Sequence, residues 1–424
     1  MTSPTVSPDR RPSQDRLALR LPPEYTERAP DRPFHPAAHQ SELGREGPVH
    51  EVALSDGDRA WLVTGHEEAR ALLADPRLSS DRFRSTRMVE KIPPELRKRL
   101  LDPATRAGNF ITMDAPDHTR YRRLLTGQFT VRRMRLLEPR VHEIVTSHLD
   151  AMIEAGTSAD LVPAFALPVP SLVICELLGV RYEDRDEFQE RTSTLLRLDA
   201  HVDDVVRAAD EQRAFMRALV RRKRVEPADD LLSGLIEAEA ALTDDELVSI
   251  SNLLLIAGHE TTANMIGLGT FALLEHPAEL ARLRADPSLT PGAVEELLRY
   301  LSIVHLGPIR LTLEDVEIGG VTVPADSTVI VSVPVVNRDP RTYRDPDTLD
   351  VARPRVSHLA FGHGIHQCLG QQLARVEMAV AFTEMLRRLP GLRLDLPAGE
   401  VPLRSDMLVY GVHSLPVSWD ETAS

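Results

Sequence analysis

The sequence predicts a mainly α-helical protein with a minor β-sheet. Three observations carry that reading. A helical hydrophobic period runs without a proline from about residue 243 to residue 276, a period of two replaces it between residues 314 and 333, and a second helical stripe follows Cys368.

The chain has 424 residues, a length that would ordinarily suggest two or three domains. Residues 1–20 are rich in Pro, Ser, Asp and Arg and are expected to form a disordered leader. They lack the apolar run of a signal peptide or membrane anchor. No Gly/Ser tract, long charge block or repeat interrupts residues 21–424, so these are expected to form one domain with a substantial core. A net charge of −14 argues against a nucleic-acid partner. Two cysteines are too few for a disulfide framework, and the expected compartment is the cytoplasm. One of them, Cys175, lies in the apolar stretch SLVICELLG at 171–179, which ends on glycine and reads as core.

The long helix opens on TDDE at 243–246. This is a capping box, with the Thr243 hydroxyl and the Glu246 carboxylate each positioned to satisfy an end of the backbone. About thirty residues at ~1.5 Å each would span about 45 Å, so the helix must cross the core. Its apolar part, near residues 251–274, includes Asn252, His259, Glu260 and Asn264 and makes a poor membrane span. In the sheet region Val316, Ile318, Val321, Val323, Val329, Val331 and Val333 alternate with polar or small residues, and Gly319-Gly320 and Pro324-Ala-Asp326 supply turns. Residues 337–354 show neither period and read as an ordered, meandering loop. After Cys368, the residues Leu369, Leu373, Val376, Val380 and Leu386 form a helical stripe that Pro390-Gly391 ends.

The most informative segment is FGHGIHQCLG at 361–370. A cysteine at a helix N-terminus faces backbone N–H groups and the positive end of the dipole, which favour the thiolate. Gly362, Gly364 and Gly370 let backbone approach something flat and bulky. Three readings of these residues stand side by side. Cys368 is an ordinary loop cysteine between flanking glycines, or a thiolate aimed at a haem iron, or His363, His366 and Cys368 contribute to a zinc site that needs a fourth ligand from elsewhere.

A second constellation is AGHETT at 257–262. An interior glycine and two threonines are poor helix formers, and a carboxylate in apolar surroundings is costly, so the segment breaks local rules. One reading is a notch in which Ala257 and Gly258 leave room for a small ligand and the back-bonding Thr261 hydroxyl opens the helix. The other is a packing notch with Glu260 solvated. A third motif, ELLR at 296–299, places Glu296 and Arg299 on one helix face, where a surface ion pair contributes a few tenths of a kcal/mol.

Taken together these segments resemble the cytochrome P450 family. FGHGIHQCLG fills every specified position of its haem-binding loop, AGHET matches its oxygen-binding groove, and ELLR matches its E-x-x-R. HP at 276, NRDP at 337–340 and the GxxLAR run ending at Arg375 resemble its soluble actinomycete branch, associated with secondary metabolism and antibiotic biosynthesis. The resemblance implies a triangular-prism fold with the haem between the long central helix and the Cys-ligand helix. It implies haem b with Cys368 as axial iron ligand, and Ala257, Gly258, Phe361 and Gly370 against the cofactor. It implies Glu260 and Thr261 as the acid–alcohol pair that manages protons, and a structural triad of Glu296, Arg299 and a meander arginine, here Arg353. His118, Arg122, Arg310 and His366 match propionate-binding positions, and the four-residue spacing of His118 and Arg122 independently puts them on one helix face.

The activity implied is insertion of one atom of dioxygen into a lipophilic molecule such as a macrolide, other polyketide or terpenoid, by hydroxylation or epoxidation. Leu254, Val304, His305, Leu306, Met407 and Leu408 are expected to line the substrate pocket. The chain stops some thirty residues after its last long helix, so electrons are expected from a separate ferredoxin and ferredoxin reductase, with NAD(P)H acting only through them. Arg120, Arg122, Arg123, Arg132, Arg133 and Arg135 form a basic stretch suited to an acidic partner. A haem sensor or electron carrier without turnover is the competing class, and the intact Glu260-Thr261 pair argues against it.

Overall fold

The computed structural model describes residues 21–238, 242–305, 307–354 and 357–421; the expected leader at 1–20 and the pocket candidate Leu306 lie outside them. The central helix Asp244–Glu275 runs unbroken for 32 residues, about 48 Å at the α-helical rise. Thr243 Oγ1 accepts from Glu246 N at 3.2 Å while Thr243 N donates to Glu246 Oε2 at 2.7 Å, so both halves of the capping box form. Apolar residues surround this helix, and accordingly it is packed on several sides. Helices Pro168–Leu178, Val202–Val225, Thr290–Leu301 and Gln371–Arg388 all lie against it. Helix Val131–Ala155 packs in turn against Gln371–Arg388.

Helix Pro168–Leu178 carries Cys175 in the core and stops where Gly179 turns left-handed, at φ 69°. Among the described residues, no helix is long and apolar enough to cross a membrane.

The largest sheet has five strands and is mixed. Val49–Ala53 pairs antiparallel with Arg59–Val63, which runs parallel to Thr328–Val331; Ile309–Thr312 then pairs antiparallel with Thr328–Val331 and with Leu78–Ser79. Val316–Ile318 and Val321–Val323 form a separate hairpin through Gly319 and Gly320, both at positive φ, as a two-residue turn of this hand requires.

Two readings from periodicity need correction. Val333 is not a strand residue but opens the short helix Val333–Val336, because Pro334 has no N–H to give a ladder. All four residues of Thr328–Val331 are buried, since Val329 and Val331 enter one apolar cluster while Ile330 enters another on the opposite face. Alternation cannot show in a strand covered on both sides. Arg310 lies inside the strand Ile309–Thr312.

Candidate active site

The loop before helix Gln371–Arg388 is closed on itself. Cys368 N donates to Phe361 O at 2.8 Å, Gly362 N to Leu359 O at 2.9 Å, and Gln367 N to Gly364 O at 3.1 Å. Gly362 and Gly364 adopt φ of 69° and 73°, a region that strains any residue with a Cβ. Their surroundings differ. A Cβ at Gly362 or Gly370 would touch nothing, whereas one at Gly364 would run into the Leu73 carbonyl of helix His66–Ala74. Gly364 therefore serves packing within the chain.

Cys368 lies deep yet keeps accessible surface. Burial pushes its thiol up, against the Gly370 and Gln371 N–H groups and the charges of Arg122 and Arg375, which act the other way. The helix-terminal N–H groups thus favour the thiolate as expected, while desolvation acts against it, and a cation at the sulfur would add to their side.

Beside this loop the structure gathers His118, Arg122, Arg310 and His366. The imidazoles of His118 and His366 lie 4.2 Å apart, centroid to centroid, and each has a buried Nε2 without a hydrogen-bond partner. Burial, then His118 and Arg310, push His366 down to about 3. Burial and then Arg122 lower His118, and burial brings Arg310 down to about 10 despite Asp114. Buried donors and positive charges crowded together call for acidic company. A haem presents two carboxylates and a cationic iron, so the donor set fits it: His118, Arg122, Arg310 and His366 toward the propionates, Cys368 toward the metal. For the zinc reading, no three His, Cys, Asp or Glu side chains among the described residues converge tightly enough to hold an ion.

Glu296 and Arg299 are buried, not surface residues. Arg299 donates Nε and Nη2 to the Glu296 carboxylate, and Arg353 Nε adds a third bond to it at 3.0 Å. The remaining guanidinium donors go to carbonyls of the meander: Arg299 to Asn337, Pro346 and Thr348, Arg353 to Arg344, Asp345 and Thr348. The meander is therefore built on this triad. Asn337 Oδ1 then accepts from Leu359 N at 2.7 Å, which carries the order on to the Cys368 loop.

On the central helix the buried pattern breaks at Ala257, which is exposed, and Thr261 beside it is half-buried. Thr261 Oγ1 donates to Ala257 O at 2.8 Å, but the helix stays continuous, so back-bonding does not open it. Gly258 is corrected too: a Cβ there would come within 2.8 Å of Ile174 Cδ1, so its smallness admits helix Pro168–Leu178 rather than a ligand. Glu260 is not solvated. Its Oε2 accepts from Arg404 Nη2 at 3.0 Å and Asn264 Nδ2 at 3.3 Å.

Of the pocket candidates, Leu254 is buried, Val304 is half-buried and bridges to Val409, and Leu408 is exposed. Met407 is withdrawn, at 1% exposure, and its carbonyl takes His305 Nε2 at 2.8 Å. These two form a pin rather than a lining, because the imidazole is turned to backbone. Leu408 N donates to Leu196 O and Leu198 N to Asp406 O, both at 2.8 Å, which joins this loop to the segment after helix Arg185–Leu196.

Two arginines that tie these segments together had no role in the sequence reading. Arg375 Nε donates to Glu295 Oε1 at 2.6 Å while its guanidinium covers the Phe361 ring at 4.6 Å. The signal available was its position seven residues after Cys368, two helical turns on. Arg404 had no signal, since its partner lies 144 residues away. In the basic stretch, Arg120 is committed to Glu246 and Arg122 lies close enough to Cys368 for their charges to interact, leaving Arg123, Arg132 and Arg135 exposed beside exposed Val131 and Leu136.

Comparison with known proteins gives a consistent picture. A family profile described as Cytochrome P450 matches residues 191–408. Cytochrome P450 105C1 of a Streptomyces species is 51% identical over 386 residues, covering 91% of this chain and 96% of that protein. Pentalenic acid synthase of Streptomyces avermitilis is 47% identical over 394 residues, covering 91% and 95%. Among solved structures, Rif16 superposes with a TM-score of 0.82 at 56% identity, covering 94% of this chain and all of that one. CYP105P1 in complex with filipin I gives a TM-score of 0.87 at 41% identity, covering 96% of this chain and all of that one.

Proposed function

This chain belongs to the cytochrome P450 family, and from that premise we propose that it oxygenates a lipophilic natural product by hydroxylation or epoxidation, with electrons from a separate ferredoxin and its reductase. The family makes it a haem-dependent monooxygenase of the actinomycete type. The observation that carries the reading is the gathering of His118, Arg122, Arg310 and His366 beside Cys368, with two imidazole nitrogens buried and unpartnered. Haem b bound there supplies reductive activation of dioxygen, with a thiolate ligand whose electron donation favours O–O cleavage.

The protein's own part is to hold, orient and protonate. Cys368 binds the iron, and Phe361, Gly370 and Ala257 border the ring. Arg375 and the triad of Glu296, Arg299 and Arg353 keep the loop and meander in register. Thr261 presents its hydroxyl on the face of the central helix where Ala257 is exposed, and Glu260 stands next to it as the acid that resupplies the proton.

Leu254, Val304 and Leu408 offer the substrate apolar contact. The names of two relatives, one a pentalenic acid synthase and one bound to filipin I, support a small-molecule natural product, of macrolide, polyketide or terpenoid kind. Arg123, Arg132 and Arg135, with Val131 and Leu136, suit docking of an acidic ferredoxin, and NAD(P)H acts through its reductase in the cytoplasm.

The test is an absorption spectrum of the purified protein, reduced with dithionite and exposed to carbon monoxide. The proposal expects the strongly red-shifted Soret band of thiolate-ligated haem, and its loss in Cys368→Ala. A colourless protein, or a band typical of histidine ligation, overturns it.

A further inference from the structure

Glu260 is one end of a buried bridge between the central helix and residues 403–412. Glu260 and Arg404 are 3% and 8% exposed, and they meet at 3.0 Å. Asn264, one turn along, donates to the Glu260 carboxylate and carbonyl, and packs so closely on Gly411 that a methyl group there would overlap its Oδ1. Arg404 N donates to Gly411 O at 2.9 Å and Leu403 bridges to Val412, so both contacts with the helix belong to one closed loop. The far end of that loop holds Met407, pinned by His305, and the exposed Leu408.

We propose that Arg404 is the positioning residue for Glu260, and that it ties the proton-handling acid to the loop that meets the substrate. The inference rests on the reading of Glu260 as the acid that resupplies Thr261. Ala257 and Thr261 keep accessible surface while Glu260 has almost none, so the carboxylate is withdrawn from the face where it would act. An unpaired buried carboxylate is costly, so Arg404 and Asn264 together hold Glu260 in place next to Thr261. Arg404 is itself fixed by the bond of its N to Gly411 O, so the loop sets where the acid stands.

The test uses the holoenzyme of four variants: Arg404→Gln, Arg404→Lys, Glu260→Gln and the double variant Arg404→Gln/Glu260→Gln. Amide hydrogen exchange across 403–412 reads the bridge, and the solvent deuterium isotope effect on NADH-driven oxygen consumption, with a surrogate ferredoxin and reductase, reads proton supply. Exchange is expected to quicken about tenfold in both Gln variants and no further in the double variant, the non-additivity of one shared interaction. Arg404→Gln is expected to take on the isotope effect of Glu260→Gln, and Arg404→Lys to restore the wild-type value. A wild-type isotope effect in Arg404→Gln alongside a changed one in Glu260→Gln overturns the role of Arg404 and leaves that of Glu260 standing. A wild-type isotope effect in Glu260→Gln removes the underlying reading and this inference with it. If Arg404→Gln fails to fold, unchanged loop exchange in Glu260→Gln is enough to overturn the bridge.

Discussion

Arg299 grips the carboxylate of Glu296, three residues before it, through Nε and Nη2 at 2.8 Å each, with both side chains almost fully buried. Arg353 closes the group at 3.0 Å. A buried pair of this kind is weak evidence for net stability compared with apolar packing, but removing one partner strands the other. Glu296→Gln is therefore expected to destabilise the protein by about 3 kcal/mol or more. It should also lower haem content, since the meander leads through Asn337 into the Cys368 loop. Denaturant unfolding and the ratio of Soret to protein absorbance check both parts.

Gly364→Ala should be damaging without touching the cofactor side. The residue is left-handed at φ 73°, and a Cβ would meet the Leu73 carbonyl, a backbone atom that cannot step aside cheaply. The expected cost is about 1–3 kcal/mol. Gly370→Ala has open space and an ordinary φ of −81°, so it is expected to fold with nearly wild-type stability. Equal melting temperatures for the two variants would contradict the distinction.

Thr261→Ala is expected to bind haem normally, because its hydroxyl bonds only the Ala257 carbonyl of its own helix. With a substrate found by spin-state screening, most of the reducing equivalents should appear as hydrogen peroxide rather than product. Thr261→Ser should recover coupling. Unchanged product per NADH in the alanine variant would argue against a proton role for Thr261.

His305 predicts a pH dependence of stability. Burial, then the Arg28 charge, push its imidazole down to about 4, against the opposing bond to the Met407 carbonyl. Below about pH 6.5 the unfolded chain takes up a proton on this group and the folded chain does not until pH falls near 4. Its contribution is thus complete above pH 6.5 and is lost progressively down to about pH 4, a change on the order of 3 kcal/mol. His305→Gln keeps a donor for Met407 O but does not titrate, so its stability should fall less steeply across that window. Parallel melting curves for the two proteins would remove His305 as the cause.

The chemistry-bearing residues were legible in sequence wherever function demands a short local string. Cys368 is framed by glycines at fixed offsets, Glu260 and Thr261 adjoin in a helix, and Glu296 and Arg299 lie three apart, because a loop around a flat cofactor or one helix face constrains near neighbours. The capping box at Thr243 was legible for the same reason. What each residue faces is a matter of which distant segments meet. Arg404 reaches Glu260 across 144 positions, Arg353 reaches Glu296 across 57, and Gly258 owes its smallness to Ile174. Periodicity marks one side of an element as apolar and is blind to what covers it. It therefore missed the strand buried on both faces at Thr328–Val331 and placed Met407 in the pocket, when packing turns it inward. Short local strings, read with the family resemblance, thus pointed to Cys368 as the candidate haem ligand and to Glu260 and Thr261 as the candidate proton-handling pair, whereas long-range packing, driven by burial and by the need of every buried charge for a partner, determined how they are held.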